Sequence, residues 1–406
     1  MAEPKEEIEP TLAVVGLPEG IPPVIDTTQG LIKYAERLRD ASGPVALDAE
    51  RASGFRYGQS AYLIQIKRIG APIGLIDPIN IKDFTVLSDA LNSVEWILHA
   101  ATQDLPCLAE LGLRPTSLFD TELAGRLLGR ERVGLAALVE SELGGRLEKG
   151  HGASDWSLRP LSQDMLRYAA LDVEVLGPLQ EKLRGELMRT GKWEFAEQEF
   201  EALVRFMPRP APAEPWRRTS GIHRLRAPRE LAVVRALWAS RDALAQDLDV
   251  APGRLLPDKS LCAAAVSTAT SAAELLADPD FNGRAAHKYL ARWWDAVVRA
   301  RTENTEQLPA SRISADGPPP PRSWESKRPE AAVRLAAARE VVDKTSEELN
   351  IPQENLLTPD TLRRVAWEPN GTSPADIAEQ FRALGAREWQ IENLAAAISV
   401  AWSDHT

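Results

Sequence analysis

Short apolar runs and longer amphipathic stretches alternate along the first half of the chain. The short runs, rich in branched apolar residues, predict five β-strands, at residues 45–50, 61–68, 72–77, 96–100 and 117–119. Helical periodicity predicts helices at 31–39, 84–91, from about 104, at 121–128, 135–143, 161–187 (kinked at Pro178) and 193–206. The first three strands form a meander and the later ones alternate with helices. This order predicts an α/β domain in which helices flank a mixed five-stranded sheet.

Two proline-rich segments, residues 207–217 and 308–329, interrupt the helical pattern. Because proline is excluded from helix interiors, we expect both to be semi-rigid linkers crossed by few contacts. They divide the chain into a domain of residues 26–206 and two helical domains, residues 218–307 and 330–406. Residues 1–25, rich in Glu and Pro and without periodicity, are expected to form a mobile acidic tail.

The two helical domains contain a repeat with an offset of about 100 residues. Leu-Asp-Val at 248–250 corresponds to Leu-Asn-Ile at 349–351, and the double leucine at 255–256 corresponds to the one at 356–357. Chance similarity between alanine-rich helices is the alternative explanation. The shared double-leucine turn favours two copies of one all-α module.

Composition narrows the class of protein. Of 406 residues, 44% are hydrophobic and 26% are charged, which is typical of soluble globular domains, and no apolar run is long enough to cross a membrane. The N-terminus lacks a secretory apolar segment, so we expect a cytoplasmic protein without membrane contacts. Cys107 and Cys262, in different domains, are expected to be core thiols and exclude a thiolate zinc site. The net charge of −11 argues against bulk coating of nucleic acid but permits a nuclease whose carboxylates bind cations.

Asp48 and Glu50 lie at the end of the first predicted strand. Side chains two residues apart point to the same face of a strand, so these carboxylates are expected to lie side by side. Adjacent carboxylates repel each other unless a cation lies between them, which indicates a metal site. The alternative is a strand end where both acids face water, since acid-x-acid is a common pattern.

Three further acids are candidates for the same site. Asp104 follows the fourth predicted strand at its carboxyl end, where open sheets bind ligands, although an acid favoured by the helix dipole is an alternative. Asp172 follows Tyr168 by four residues, so both project from one helix face; a partly buried tyrosine with a solvated acid is the alternative. Asp120, directly before a predicted helix, is better explained as an N-cap.

Taken together, these residues resemble the motifs of the DEDDy 3′-5′ exonucleases, and more narrowly of the ribonuclease D family. The resemblance covers nearly the whole chain, and the two helical modules resemble the helicase-and-ribonuclease-D C-terminal (HRDC) domain. The stretches that carry it are Leu-Asp-Ala-Glu at 47–50, Leu-His-Ala-Ala-Thr-Gln-Asp-Leu at 98–105, Leu-Phe-Asp-Thr at 118–121, Trp-Ser-Leu-Arg-Pro-Leu at 156–161 and Tyr-Ala-Ala-Leu-Asp at 168–172.

The resemblance implies a ribonuclease H-like sheet and a metal-dependent 3′-5′ exoribonuclease. Such an enzyme hydrolyses RNA with a free 3′ end to nucleoside 5′-monophosphates, and the family implies tRNA precursors as substrates, with no protein partner. It also implies that two divalent cations are held by the carboxylates, that Asp48 contacts both ions, and that Tyr168 orients the attacking water. Oxygen ligands suit Mg²⁺ or Mn²⁺ better than zinc. The implied catalytic residues are Asp48, Glu50, Asp104, Tyr168 and Asp172.

Substrate contacts are predicted less directly. Phe55 and Tyr57, in a glycine-containing turn, could stack on terminal bases, or they could be surface aromatics of a hairpin. Gln65 and His99 are expected to support the sheet. Lys149 and His151 lie in a loop that could reach a phosphate, and a plain loop histidine is the alternative for His151. Arg224 and Arg226 belong to a basic cluster that could bind the RNA backbone, or they could be a solvated helix start.

Two other functions are compatible with the same sequence. A DNA exonuclease shares these motifs, because the residue that reads the 2′-hydroxyl cannot be located from sequence. A non-catalytic RNA adaptor could be built around the helical modules. Digestion of matched RNA and DNA oligomers distinguishes a DNA exonuclease from an exoribonuclease. Metal-dependent loss of nucleotides from a 3′ end excludes the non-catalytic adaptor.

Overall fold

Strands β1 to β8 lie in the first half of the chain in the computed structural model, which describes residues 12–148, 150–208, 210–311 and 317–404. Their bounds are Ala13–Val14, Val24–Ile25, Ser42–Arg51, Ala61–Ile69, Gly74–Ile76, Glu95–Leu98, Ser117–Asp120 and Gly145–Arg146. Strands β2 to β7 form one mixed sheet in the order β2-β5-β4-β3-β6-β7. The long strand β3 lies near its middle, antiparallel to β4 and parallel to β6.

The predicted mixed sheet is confirmed, but it has six strands in the described residues and not five. The additional strand, Val24–Ile25, pairs in parallel with β5, while Ala13–Val14 pairs with Gly145–Arg146. Both segments lie where a mobile tail was expected, so that prediction is wrong for these residues. Two-residue strands are too short to produce a periodic signal. Residues 1–11 lie outside the described residues.

Eight helices accompany these strands in the described part of the first domain. Helices α1 to α8 span Thr28–Asp40, Thr85–Leu91, Leu105–Glu110, Thr121–Leu127, Leu135–Leu143, Gln163–Glu174, Leu176–Arg189 and Trp193–Val204. The predicted helix at 161–187 is two helices that separate at Val175, so the kink predicted at Pro178 is wrong. Pro178 is the third residue of α7, where a backbone amide has no partner within the helix anyway.

The two faces of the sheet pack against different helices. Leu47 and Ile66 lie in the large core beside α1, α4 and α7. Ala46 and Leu63 point to the other face and pack against α6 through residues such as Ala169. Because side chains alternate along a strand, Asp48 and Glu50 of β3 belong to the α6 face.

The helical repeat is confirmed. The long helices α9 (Pro228–Leu248) and α16 (Pro329–Leu349) each contain 21 residues and end in a left-handed residue, Asp249 with φ 48° and Asn350 with φ 49°. Module 1 continues with α10 to α14, at Pro252–Leu255, Asp258–Val266, Ala272–Leu276, Arg284–Lys288 and Leu290–Thr302. Module 2 comprises α15, at Trp324–Lys327, then α16, and then α17 to α20, at Gln353–Leu356, Pro359–Trp367, Pro374–Ala383 and Glu388–Ser403.

The two modules differ in how they join the first domain. Module 1 has its own apolar core, which includes Leu237 and Trp293. The core of module 2 is continuous with that of the first domain, and Trp389 stacks directly on Phe195 of α8. The expectation of few contacts across the linkers is therefore wrong for module 2.

Two simpler expectations concern the whole chain. Both cysteines are free thiols, with Cys107 buried and Cys262 partly buried. None of the helices in the described ranges combines the length and apolar character that a bilayer span requires.

Candidate active site

Strand β3 presents the first two acids beneath helix α6. In the ladder with β4, Asp48 lies opposite Gln65 and Glu50 lies opposite Leu63, so all four side chains share the α6 face. The regular register of this ladder ends in a bulge between Glu50 and Arg51. The unpaired residue at this shift is Tyr62 of β4, and Arg51 is the last residue of β3.

Asp104 is positioned by a turn that Asp120 holds in place. The Asp120 carboxylate accepts hydrogen bonds from the amides of Ala100 (3.1 Å) and Ala101 (2.8 Å), just after β6. It also accepts from the amides of Glu122 (2.9 Å) and Leu123 (3.1 Å), so its predicted role as an N-cap is confirmed. Ala100 adopts a left-handed conformation, with φ 57°, in the turn that leads to Asp104.

Helix α6 contributes Tyr168 and Asp172 from successive turns of one face. The Tyr168 hydroxyl faces the Asp172 carboxylate, and burial together with the charge of that carboxylate raises the pKa of the tyrosine. The loop before α6 packs closely on this tyrosine, because a Cβ at Gly150 would lie 2.8 Å from Tyr168 Cδ2. Only glycine therefore fits at position 150 without displacing the ring.

The predicted acids meet in one cleft of about 810 Å³. Oxygen atoms of Asp48, Glu50 and Asp172 lie within 4.8 Å of one another. Asp104 lines the same cleft, as does Tyr168. The structure thus brings together all five residues that the sequence identified as catalytic candidates.

Burial makes this cleft unfavourable for negative charge. Desolvation raises the pKa of Glu50 to about 10, with further contributions from the charges of Asp48, Asp172 and Asp104. Desolvation also raises the pKa of Asp48 to about 6, and desolvation together with the Asp48 charge raises the pKa values of Asp104 and Asp172. A divalent cation would supply the missing positive charge, and a donor set made only of carboxylates fits a cation that prefers oxygen ligands.

Two arginines that were not identified as functional from the sequence also line the cleft. Arg51 lies 3.5 Å from Asp104, measured from Nη2 to Oδ1, and donates a hydrogen bond to the carbonyl of Gln103. Arg132, from the loop between α4 and α5, is exposed where it lines the cleft. The position of Arg51 directly after Glu50 was an available signal, whereas nothing in the sequence around Arg132 marks it.

Phe55 and Tyr57 contact module 1 and do not line the cleft. The Phe55 carbonyl accepts a hydrogen bond from the Ala251 amide (3.0 Å), and the Arg254 guanidinium lies 4.3 Å from the centre of the Phe55 ring. The Tyr57 hydroxyl lies 3.3 Å from the carboxylate oxygens of Asp242. Both aromatics therefore have protein partners, which leaves the prediction of base stacking without structural support.

The other predicted contacts have mixed outcomes. His99 lines the cleft, with Nδ1 2.9 Å from the Thr121 hydroxyl, and burial lowers its pKa to about 4. His151 lies behind Tyr168, with ring centres 6.1 Å apart, and its Nδ1 is 3.0 Å from the Ser154 hydroxyl. Arg224 and Arg226 are exposed on module 1, away from the cleft lining. Lys149 lies outside the described residues.

Three family models match successive parts of the chain. They describe a 3′-5′ exonuclease at residues 22–188, an HRDC domain at 230–297 and a 3′ to 5′ exonuclease C-terminal domain at 317–402. Ribonuclease D of Gluconacetobacter diazotrophicus is 31% identical over 369 residues, which cover 88% of this chain and 89% of the relative. Ribonuclease D of Granulibacter bethesdensis is 33% identical over 310 residues, covering 75% and 72%.

The chain belongs to the ribonuclease D family. It is accordingly a 3′-5′ exoribonuclease, which favours the catalytic prediction over the DNA exonuclease and the RNA adaptor. A crystal structure of a protein from Bifidobacterium adolescentis is 37% identical, with a TM-score of 0.89 and coverage of 97% of this chain and 100% of that chain. The structure of Escherichia coli RNase D, 24% identical with a TM-score of 0.68 and coverage of 94% and 99%, has the same fold.

Proposed function

We propose that this enzyme trims the 3′ ends of structured RNA, including tRNA precursors, in the cytoplasm, and that it uses two Mg²⁺ or Mn²⁺ ions. The observation that carries the proposal is the convergence of Asp48, Glu50 and Asp172, whose oxygens lie within 4.8 Å of one another beside the Tyr168 hydroxyl. The RNase D of E. coli is described as an exoribonuclease involved in structured RNA processing, which supports this class of substrate.

Asp48, Glu50, Asp104 and Asp172 would hold the ions. Such cations would supply the positive charge that lowers the pKa of a water and stabilises the leaving 3′ oxygen of a phosphodiester. The Asp48 charge raises the pKa values of the other three acids, which supports its predicted contact with both ions. Asp104, close to Arg51, would complete the ligand set from the turn that follows β6, the strand parallel to β3.

Tyr168 would position the attacking water. Burial and the nearby Asp172 carboxylate raise the pKa of its hydroxyl above the usual value near 10, so the hydroxyl is protonated at neutral pH. A protonated phenol cannot remove a proton from water, but it can donate or accept a hydrogen bond that orients it.

Arg51 and Arg132 would contact the RNA phosphates. An acidic cleft repels a polyanion, and these are the cationic side chains that line it in the described residues. Arg224 and Arg226, exposed on module 1, would bind the backbone farther from the 3′ end.

The decisive experiment is digestion of a 5′-labelled RNA oligomer beside a DNA oligomer of the same sequence, with Mg²⁺, Mn²⁺, Zn²⁺ or EDTA. We expect a ladder that shortens from the 3′ end of RNA with Mg²⁺ or Mn²⁺ and releases nucleoside 5′-monophosphates. Asp48→Asn is the control for a contaminating nuclease. Faster digestion of DNA, activity in EDTA or endonucleolytic fragments would contradict the proposal. If a tRNA precursor incubated under the same conditions keeps its 3′ end, the proposed substrate is wrong.

A further inference from the structure

Gln65 is a fully buried residue whose side chain has no hydrogen-bond partner in the described part of the chain. It lies in β4 with 0% of its surface exposed. Among the residues that the structure describes, neither Oε1 nor Nε2 of Gln65 has a partner. An amide without partners loses its hydrogen bonds to water on folding and gains none in return, so it destabilises the fold. A group with this cost calls for a functional explanation.

The strand register places Gln65 beside the first catalytic acid. Gln65 lies directly opposite Asp48 in the antiparallel ladder, and its neighbour on the other side, in β5, is the apolar Leu75. Directly opposite residues on one face have Cβ atoms about 5 Å apart, a distance that a glutamine side chain can bridge. The amide is absent from the lining of the cleft, so it lies behind the carboxylate and not in the path of substrate.

Among the residues directly opposite and next to Gln65 on its face of the sheet, Asp48 is the one that offers a carboxylate acceptor, while Glu50 lies diagonally, opposite Leu63. On the same face of β4, Leu63 on one side of Gln65 is apolar, and Lys67 on the other side pairs with Glu174 of α6, with Nζ and Oε2 3.3 Å apart. An ionised carboxylate that binds cations still has lone pairs available for a hydrogen bond. Hydrogen bonds of this kind orient metal ligands in proteins, and their loss typically weakens metal binding about 10- to 100-fold.

We propose that Gln65 is a positioning residue for the metal site, whose Nε2 hydrogen-bonds to the Asp48 carboxylate when a divalent cation is bound and so fixes the orientation of that carboxylate. This inference rests on the proposed function, because it requires that Asp48 bind the cation. It explains why a destabilising polar group lies buried in the sheet opposite Asp48.

The test compares Gln65→Met with Leu63→Met. Methionine is close to glutamine in size and removes the amide, while Leu63→Met introduces the same side chain on the same face opposite Glu50. For Gln65→Met we expect unchanged or higher thermal stability in EDTA, because the unpartnered amide is gone. We also expect Mn²⁺ affinity, measured by calorimetry, to fall about 10- to 100-fold. The Mn²⁺ concentration for half-maximal activity should rise in parallel, with kcat recovered at saturating Mn²⁺, and Leu63→Met should change none of these values.

If Gln65→Met binds Mn²⁺ with wild-type affinity, the inference is wrong. It is also wrong if the free energy of unfolding in EDTA falls by as much as the free energy of Mn²⁺ binding, because the variant would then disturb the fold in general. Failure of the proposed function gives a different result. In that case the wild-type protein would show no Mn²⁺ binding that Asp48→Asn removes, whatever residue 65 is.

Discussion

The indole ring of Trp389 stacks on the phenyl ring of Phe195, with ring centres 4.6 Å apart and planes inclined by 18°. Trp389 Nε1 also donates to Glu199 Oε1 at 3.1 Å, and Arg387 lies 3.2 Å from the other oxygen of that carboxylate. Glu199 is buried in α8. Removing module 2 would expose Phe195 and leave a buried acid without its partners, so module 2 is part of the folding unit of the exonuclease domain.

Trp389→Ala should therefore destabilise the exonuclease domain itself. Loss of a buried tryptophan typically costs about 3–5 kcal/mol, and here that loss falls on a core shared with α8. We expect faster hydrogen exchange of the α8 amides and a lower unfolding temperature for the exonuclease domain. The matched variant is Trp293→Ala, which removes an equally buried tryptophan from the separate core of module 1. It should leave α8 exchange and activity on short RNA unchanged; equal effects of both variants on α8 would contradict the shared core.

Asp48→Asn should abolish turnover and leave the fold intact. Asparagine has the same shape but cannot supply the negative charge that two cations require. Because the Asp48 charge raises the pKa values of Glu50, Asp104 and Asp172, its removal should also relieve repulsion in the metal-free protein. We expect a rate below a few percent of wild type and an unfolding temperature in EDTA that is no lower. Residual activity above that level with 3′ polarity would mean that the site is assigned incorrectly.

The stability of the metal-free protein should fall as pH rises. In the folded state Asp48 and Glu50 have pKa values of about 6 and about 10, whereas in an unfolded chain both are near 4. Above about pH 4 the folded state binds more protons than the unfolded state, so the free energy of unfolding decreases as pH increases, first through 6 and then toward 10. Calorimetry in EDTA should give an unfolding temperature at least a few degrees lower at pH 8.5 than at pH 5.5.

Mn²⁺ should remove most of that pH dependence, because a bound cation stabilises the ionised carboxylates. Metal binding near neutral pH should also release protons, which can be measured by calorimetry in buffers of different ionisation enthalpy. A metal-free protein that becomes more stable between pH 5.5 and 8.5 would show that the carboxylates are not held in their repulsive arrangement.

Tyr168→Phe should lower kcat about 10²-fold with little change in RNA affinity. The variant keeps the ring that packs on Gly150 and removes only the hydroxyl that contacts Asp172. A group that positions a reacting water typically contributes about 10²-fold to the rate. Single-turnover kinetics and equilibrium RNA binding to the Asp48→Asn background separate the two effects. A loss confined to RNA affinity would make Tyr168 a binding residue.

Local periodicity was sufficient to predict which of the candidate side chains share a face, whereas their catalytic role was implied by the resemblance to the family motifs. Asp48 and Glu50 share a face because strands repeat every two residues, and Tyr168 and Asp172 share a face because they are one helical turn apart. The cap at Asp120 is equally local, although its bonds to the amides at positions 100 and 101 were not predictable. Contacts between residues close in sequence were therefore predictable, and contacts between residues far apart along the chain were not.

Longer-range partners explain the errors. Phe55 and Tyr57 look like exposed hairpin aromatics because their partners in module 1 follow about 190 residues later. The shared core of module 2 was hidden for the same reason, since the proline-rich segments indicated linkers but not what the modules beyond them contact. The strand at Val24–Ile25 has two residues, and its only signal is its pairing with β5.

The double variant Tyr57→Phe/Asp249→Asn should loosen the docking of module 1 without unfolding it. Asp249 carboxylate oxygens accept from the Tyr57 amide (3.3 Å) and pair with Arg56 (3.4 Å), and the variant also removes the Tyr57 contact to Asp242. Asparagine should keep the left-handed turn, because Asn350 adopts the same conformation at the corresponding position of module 2. The lost Tyr57 hydroxyl bond to Asp242 contributes about 1 kcal/mol and the exposed ion pair contributes less, while an asparagine Oδ1 at position 249 can still accept from the Tyr57 amide.

We expect faster hydrogen exchange at the amides of residues 55–57 and at Ala251, with the core of module 1 unchanged because the substitution keeps the ring of residue 57 that packs against that core. KM for a long structured RNA should rise up to about 10-fold, since a loosely held module gives a lower effective concentration of its binding surface, while kcat on a short RNA stays near wild type. Asp247→Asn, which removes the same charge from an exposed position two residues earlier, is the control and should change neither value. Unchanged exchange at Ala251 in the double variant would show that the remaining contacts, Ala251 with Phe55 and Arg254 with the Phe55 ring, hold module 1 by themselves.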